Sequence, residues 1–132
     1  MLLVDTNVLV DVLQDDPQWA EWSIGQLRAQ ARLHQLAVNP VIYAEISLSF
    51  STLEALDEVI DTLGLVVHDI PRPALFLAAK AFARYRQRGG ARQQVLPDFF
   101  IGAHAAVQGW PLLTRDASRF RSYFPGLVVL AP

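Results

Sequence analysis

The sequence predicts a single α/β domain built on a mainly parallel sheet, and three observations carry this prediction. Short apolar segments alternate with amphipathic ones, which favours strand–helix–strand crossovers and therefore parallel strands. The 132 residues suffice for one core, and a composition of 52% hydrophobic and 18% charged residues argues against disorder. No linker, repeat or low-complexity segment divides the chain, so we expect one domain over residues 1–132.

The first half of the chain predicts two strands and four helices. Leu2–Val4 is a short buried strand, and helical spacing follows over residues 7–13. Pro17 is expected to open a longer helix, Leu36–Val38 to form the second strand, and Pro40 to start the helix after it. Ser51 is the expected N-cap of the next helix, which Gly64 ends. The apolar face of that helix consists of Leu53, Leu56, Ile60 and Leu63.

The second half predicts three more strands and three more helices. A third strand is expected over residues 65–70, and a helix over residues 72–88 that Gly89 and Gly90 stop. After a loop, a helix runs from about residue 97 to 108, since Pro97 suits a first turn. A fourth strand over 111–113, a short helix over 118–124 and a last strand over 127–130 complete the chain.

Most of the thirteen acidic residues occupy positions expected to face solvent. Four differ because apolar residues surround them in the sequence: Asp5, Glu45, Asp98 and Asp116. Asp5 ends the first strand, Asp98 leads an apolar helix, and Asp116 follows the fourth strand. Each of these three aspartates could instead be an N-cap, and Glu45 could pair with an arginine.

Glu45 is expected to be partly buried, because Val41 and Ile42 lie one helical turn before it and Leu48 one turn after it. Two further acids are ranked lower. Asp11 is interpreted as the polar position of a helix and Asp69 as a turn residue.

The four selected acids point to a divalent cation. Semi-buried carboxylates cost several kcal/mol each unless a partner compensates them. Because the chain has no cysteine and only three histidines, hard oxygen ligands for Mg²⁺ or Mn²⁺ are favoured over a zinc site. Such ions usually act on phosphate oxygens, which favours phosphodiester or phosphomonoester chemistry. If the first and fourth strands are neighbours, their carboxyl ends bring Asp5 and Asp116 together.

A group of basic residues offers a second functional feature in a chain whose net charge is only −2. Five of the eleven basic residues lie between Lys80 and Arg92, and Lys80, Arg84 and Arg88 line one helix face. This face is either simply solvated or a phosphate-binding rim beside the acids. The candidate rim residues are Lys80, Arg84, Arg88, Arg92 and Arg115, which Arg119 and Arg121 could extend.

Hydroxyl and imidazole side chains carry less information. Thr6 and Thr114 each lie one or two residues from a candidate carboxylate and could hold it, hold a metal-bound water, or cap a helix. Asn7 could position water or only start a helix. His104, on an alanine-rich helix, is expected to pack in the core rather than bind a ligand.

Four segments together carry a family resemblance: "LLVDTNVLVDVL", "YAEI", "LPDFFIGAHA" and "LLTRDASRF". The sequence resembles the PIN-domain family and, within it, the VapC-like toxins of type II toxin–antitoxin systems. The resemblance implies a three-layer α/β domain with a mainly parallel five-stranded sheet flanked by helices. It also implies an endoribonuclease that depends on Mg²⁺ or Mn²⁺ and leaves a 5′-phosphate and a 3′-hydroxyl.

The resemblance implies specific roles for the matching positions. Asp5 and Asp98 would bind the metal directly or through water, while Glu45 and Asp116 would complete the shell and orient water. Thr6 and Asn7 match the "DTN" start of the family, and Thr114 matches its "T-x-D" hydroxyl.

The resemblance also implies a homodimer and a cognate antitoxin that presents a basic side chain to the acidic pocket. The segments around Trp19, Trp22 and "FSTLEALDEVI" could be partner surfaces or ordinary core. The absence of cysteine fits a reducing compartment. No signal peptide or membrane-spanning stretch is predicted, so we expect a cytoplasmic protein.

Two alternatives remain from other functional classes. A haloacid-dehalogenase-like phosphatase uses an aspartate after the first strand but expects a second aspartate two residues on, where this chain has Asn7. A non-catalytic module that binds RNA or a partner would keep the fold without the chemistry. A missing carboxylate would favour that module, and all four are present.

Overall fold

The computed structural model describes residues 1–92 and 95–132, and its centre is a five-stranded parallel sheet flanked by helices. The strands are β1 (Leu2–Val4), β2 (Leu36–Val38), β3 (Val66–Val67), β4 (Leu112–Leu113) and β5 (Val129–Leu130). The helices are α1 (Thr6–Leu13), α2 (Ala20–Ala31), α3 (Pro40–Ile46), α4 (Leu53–Thr62), α5 (Arg72–Gln87), α6 (Leu96–Gln108) and α7 (Ser118–Tyr123). A 3₁₀ turn over Ser47–Ser49 follows α3. The predicted fold class is confirmed.

The strand order β3-β2-β1-β4-β5 places β1 at the centre of the sheet. Leu3 of β1 pairs with Ala37 of β2 on one side and with Leu112 of β4 on the other, both in parallel. The chain builds outward from β1 in one direction and then returns to build in the other, so the strand order reverses between β1 and β4. In parallel sheets, sites form beyond the carboxyl ends of strands at such a reversal.

The core covers the three central strands completely. Every residue of β1, β2 and β4 is buried, which is what two helical layers over a parallel sheet require. The apolar side of α6 is equally buried, with Phe99, Ile101 and His104 each 0% exposed. His104 therefore packs in the core, as predicted.

The edge strands are shorter than the sequence predicts. The third strand covers only Val66–Val67 instead of residues 65–70, because its partner β2 ends at Val38, where Asn39 caps α3. The fifth covers Val129–Leu130 instead of 127–130, since β4 offers only two residues to pair with. Both residues of β3 are exposed, as expected for an edge.

Two predicted helix starts are also displaced, by one residue in α4 and by three residues in α2. The Thr52 hydroxyl, rather than that of Ser51, accepts from the Ala55 N–H at 3.2 Å and caps α4. The helix expected from Pro17 begins at Ala20, because the Asp16 carboxylate accepts from the N–H groups of residues 18 and 19 and holds a turn there. Within the described residues, no helix is both long enough and apolar enough to cross a membrane.

Candidate active site

Asp5 lies directly after β1 and is only 5% exposed. Its Oδ1 accepts a hydrogen bond from the Thr6 N–H at 2.7 Å, so Asp5 is the N-cap of α1. Its Oδ2 accepts from the Thr114 hydroxyl at 2.8 Å. The capping role therefore uses one carboxylate oxygen, and the other faces the neighbouring strand end. The two interpretations of Asp5 are compatible.

Thr114 and Asn7 tie the carboxyl ends of β1 and β4 together. The buried Thr114 hydroxyl donates to Asp5 and accepts from the Asn7 side-chain amide at 3.3 Å and from the Asp116 N–H at 3.1 Å. The Asn7 carbonyl oxygen accepts from the Arg115 N–H at 3.1 Å. These bonds fix the orientation of the Asp5 carboxylate and hold the loop that carries Asp116 beside it.

Glu45 reaches the same edge from α3. Its Oε1 accepts from the Thr6 hydroxyl at 2.6 Å. The helix is held in place by Asn39, whose side-chain oxygen accepts from the Ile42 N–H at 2.9 Å. Because that oxygen is already used, the Asn39 amide donates to Nδ1 of His104, 3.2 Å away on α6. Sequence reasoning missed Asn39, although an Asn-Pro pair before a helix is a capping signal.

Leu48 does not contribute to the burial of Glu45. It is 91% exposed, because α3 ends at Ile46 and the chain continues as a 3₁₀ turn. The helical spacing that predicted the contact no longer applies there. Glu45 is half-buried by the rest of its surroundings.

Asp98 lies in the first turn of α6, and its Oδ2 accepts from Nη1 of Arg119 at 2.8 Å. Residue 95 occupies the N-cap position, so the capping alternative for Asp98 is wrong. Asp116 is exposed and lies before the Ala117 cap of α7, so it is not the N-cap either. Its Oδ1 accepts from the Ser118 hydroxyl at 3.3 Å.

Four carboxylates repel one another near the carboxyl ends of β1 and β4, and we call the region between them the acidic crevice: Asp5, Glu45, Asp98 and Asp116. Burial raises the pKa of Asp5 to about 7; the Thr114 hydrogen bond opposes this, and the charges of Asp98 and Glu45 add to it. Burial also raises the pKa of Glu45 and of Asp98, again with repulsion from another carboxylate. Arg119 acts in the opposite direction on Asp98. The positive charge of Arg119 therefore compensates only part of the negative charge of the four acids.

This donor set fits a hard divalent cation in chemistry, although the side chains are not arranged around one. Carboxylate oxygens are the ligands that Mg²⁺ and Mn²⁺ prefer, and an ion would relieve the repulsion. Across residues 1–92 and 95–132, however, no three acidic, histidine or cysteine side chains stand close enough to hold one ion. Oδ2 of Asp98 is also engaged by Arg119. Binding would require side-chain rearrangement.

A family model described as the PIN domain matches residues 2–123. The chain belongs to the PIN-domain family. No curated protein sequence matches it. The predicted family is thereby confirmed over nearly the whole chain.

Solved structures share this fold at low sequence identity. A chain of VapBC2 from Rickettsia felis, bound to a promoter DNA fragment, superposes with a TM-score of 0.75 and 18% identity, covering 99% of this chain and 98% of that one. A chain of DNA-bound VapBC from Salmonella typhimurium gives 0.71 and 19% over 99% and 98%. VapBC-1 from nontypeable Haemophilus influenzae gives 0.71 and 16% over 98% and 96%.

The basic residues predicted to bind RNA fall into two groups, those exposed to solvent and one, Arg115, that forms a salt bridge. Lys80, Arg84 and Arg88 are exposed on or directly after α5, and Arg92 is exposed in the loop beyond it. The Arg92 N–H donates to the Tyr85 hydroxyl at 3.3 Å, which ties the backbone at residue 92 to α5. We call the four exposed basic residues the rim surface.

Arg115 forms a salt bridge with Asp11. Its Nε and Nη2 donate to the two Asp11 oxygens at 2.9 and 3.0 Å, and the Ser23 hydroxyl donates to the same carboxylate at 2.8 Å. Asp11 is 1% exposed, so the prediction of an ordinary polar helix position is wrong. The pair spans 104 residues, and no local pattern predicts it.

Proposed function

We propose that this PIN domain is an endoribonuclease that depends on Mg²⁺ or Mn²⁺ and acts as the toxin of a type II toxin–antitoxin pair. The observation that carries the proposal is the mutual repulsion of four carboxylates, three of which have a raised pKa: Asp5, Glu45 and Asp98, with Asp116 as the fourth. PIN domains are generally nucleases, which supports the reaction class. An excess of carboxylates at a strand-order reversal suits a metal-dependent hydrolase.

The four acids divide the work according to their positions. Asp5 and Asp98 are the proposed metal ligands, directly or through water, because they are the more buried pair that repel each other. Glu45 and Asp116 complete the shell and orient the attacking water. A bound divalent ion supplies a Lewis acid for a phosphate oxygen and makes bound water more acidic.

The threonines act by holding the carboxylates. Thr114 donates to Oδ2 of Asp5, whose Oδ1 already accepts from the Thr6 N–H, and the Thr6 hydroxyl donates to Oε1 of Glu45. Each carboxylate is thus oriented by a hydroxyl donor. Asn7 supports the Thr114 hydroxyl through its side-chain amide.

The rim surface supports a polymeric anionic substrate. An acidic crevice alone repels RNA, so a nuclease needs cations near it to bind the flanking phosphates. Within the described residues, Lys80, Arg84 and Arg88 form no salt bridge, which leaves their charges available. Arg115 is a weaker candidate because Asp11 engages two of its nitrogens.

One solved structure that this chain is similar to is a toxin–antitoxin complex from Klebsiella pneumoniae, which supports a protein partner. We propose a cognate antitoxin that places a basic side chain against the acidic crevice, a homodimer, and a cytoplasmic location. The competing proposal is a non-catalytic module, which the lack of a ready-made three-ligand cluster in the described residues favours.

Substitution of the proposed metal ligands distinguishes a nuclease from a non-catalytic module. We expect Asp5→Asn and Asp98→Asn each to lower Mn²⁺-dependent cleavage of a labelled RNA by about 100-fold or more. Asp61→Asn, at an exposed position of α4, is the matched control and should cleave as the wild type does. Circular dichroism checks that each variant is folded. Full cleavage by both folded site variants, or none by the wild type with any divalent ion, refutes the proposal.

A further inference from the structure

Within the described residues, Arg119 is the one basic residue that forms a salt bridge with any of the four acids, and it does so with Asp98. The Nη1 atom of Arg119 donates to Oδ2 of Asp98 at 2.8 Å. The guanidinium carbon also lies 5.8 Å from the centre of the Tyr85 ring on α5. Arg119 is thus held between the acidic crevice and the helix that carries the rim surface.

Tight packing between α6 and α7 keeps Arg119 within reach of Asp98. Phe120 and Phe124, at and after α7, are buried against Gly102 of α6. A Cβ atom at Gly102 would lie 2.5 Å from the Phe124 ring, so the two helices approach as closely as a glycine allows. This packing places the first turn of α7, which carries Arg119, close to α6.

The contact contributes little to holding the fold. The side chains of Arg119 and Asp98 are 27% and 34% exposed, and salt bridges as exposed as this one stabilise proteins weakly. Its position has a greater consequence, because it occupies an oxygen of a proposed metal ligand. A divalent ion must either displace the guanidinium or share the carboxylate with it against charge repulsion.

We propose that Arg119 is an internal counter-cation that occupies Asp98 in the ion-free protein and competes with the divalent ion for it. Arg119 thereby sets the ion concentration at which the site loads. This inference rests on the proposed function, since it takes Asp98 as a metal ligand. It assigns Arg119 a regulatory role in the site, in place of the RNA rim that the sequence suggests.

Competition predicts that removing the guanidinium tightens metal binding. We expect Arg119→Gln to bind Mn²⁺ about tenfold more tightly, because the coupling between two ligands of one site is commonly of that size. Arg119→Lys keeps the charge and should stay within about threefold of the wild type. Arg121→Gln removes the same charge from an exposed position of α7 and is the matched control, with an expected change below about twofold.

Isothermal titration of the full chain with Mn²⁺ alone measures these affinities without any cleavage assay. Tighter binding by Arg119→Gln than by Arg121→Gln supports the inference. Equal affinities of these two variants, or weaker binding by Arg119→Gln, overturn it. Asp98→Asn is titrated in parallel. Weaker Mn²⁺ binding by this variant supports Asp98 as a metal ligand, whatever the result for Arg119. Unchanged Mn²⁺ binding shows that Asp98 is not a ligand and refutes both the proposed metal site and the proposed competition.

Discussion

Replacement of Asp5 by asparagine should stabilise the metal-free protein at neutral and alkaline pH. The carboxyl is 5% exposed and lies near two other acids, so its ionised form is unfavourable in the folded state. Asparagine removes that charge with almost no change in shape. A residue that is proposed to serve function at the expense of the fold should behave in this way.

The size of the effect follows from the pKa. Folding raises the pKa of Asp5 from 3.8 to about 7, which costs about 4 kcal/mol of folding free energy once both states are ionised. The substitution also loses an acceptor for the Thr114 hydroxyl, at a cost of about 1 kcal/mol. The expected net gain for Asp5→Asn is therefore about 3 kcal/mol at pH 8.

The sign of the pH dependence is opposite to that of an ordinary paired aspartate. Because the folded pKa lies above the unfolded one, the unfolded state releases its proton first, and the wild type loses stability as pH rises from 3.8 to about 7. The advantage of Asp5→Asn should therefore grow over this window and be constant above it. Below pH 3.8 it should reverse to a loss of about 1 kcal/mol, because only the lost hydrogen bond remains.

Urea unfolding in EDTA across this pH range measures the difference, with m-values checked for equality. Asp61→Asn on the surface of α4 is the control and should change the free energy of unfolding by less than about 0.5 kcal/mol at every pH. A pH-independent difference between Asp5→Asn and the wild type, or destabilisation at pH 8, would contradict the proposed cost of this carboxyl.

Three further predictions concern the surroundings of the site. Thr114→Val should destabilise the protein by about 2 kcal/mol in urea unfolding, because buried polar groups lose the hydroxyl that links the strand ends; a neutral result would contradict that role. Arg115→Gln should lower the free energy of unfolding by about 2 kcal/mol in the same assay, because the buried Asp11 carboxylate loses its cation. An unchanged unfolding midpoint would refute this. Arg84→Glu and Arg88→Glu should each flatten the salt dependence of RNA binding in EDTA by about 0.7 in log–log slope, whereas Arg28→Glu on α2 should not; equal slopes would leave the rim surface merely solvated.

The sequence predicts the elements of the central sheet well, because buried parallel strands are continuous apolar runs and the helices between them are amphipathic. It places Asp5 at a strand end for the same reason. It does not establish that β1 and β4 are neighbours, since strand order depends on the packing of the whole chain. The hydrogen bond from Thr114 to Asp5 joins residues 109 positions apart and forms only because β1 and β4 are neighbours.

The features that local pattern could not reveal are the charge pairs. Asp11 and Arg115 are both polar residues beside apolar ones, and nothing in their spacing predicts that they meet. In the sequence Arg119 is one more basic residue near the rim, and only the approach of α7 to α6 brings it to Asp98. Leu48 is misplaced for a local reason, because α3 ends one residue after Glu45 and the helical spacing fails.

The central claim is that the crevice hydrolyses RNA with a divalent ion, and the chemistry of the product ends tests it most directly. The wild-type chain is incubated with a defined RNA in Mn²⁺ or in EDTA, and the termini of the fragments are determined. We predict cleavage only with the ion, leaving 5′-phosphate and 3′-hydroxyl ends, because an activated water attacks the phosphodiester. Cleavage in EDTA, or fragments that end in a 2′,3′-cyclic phosphate, would contradict it.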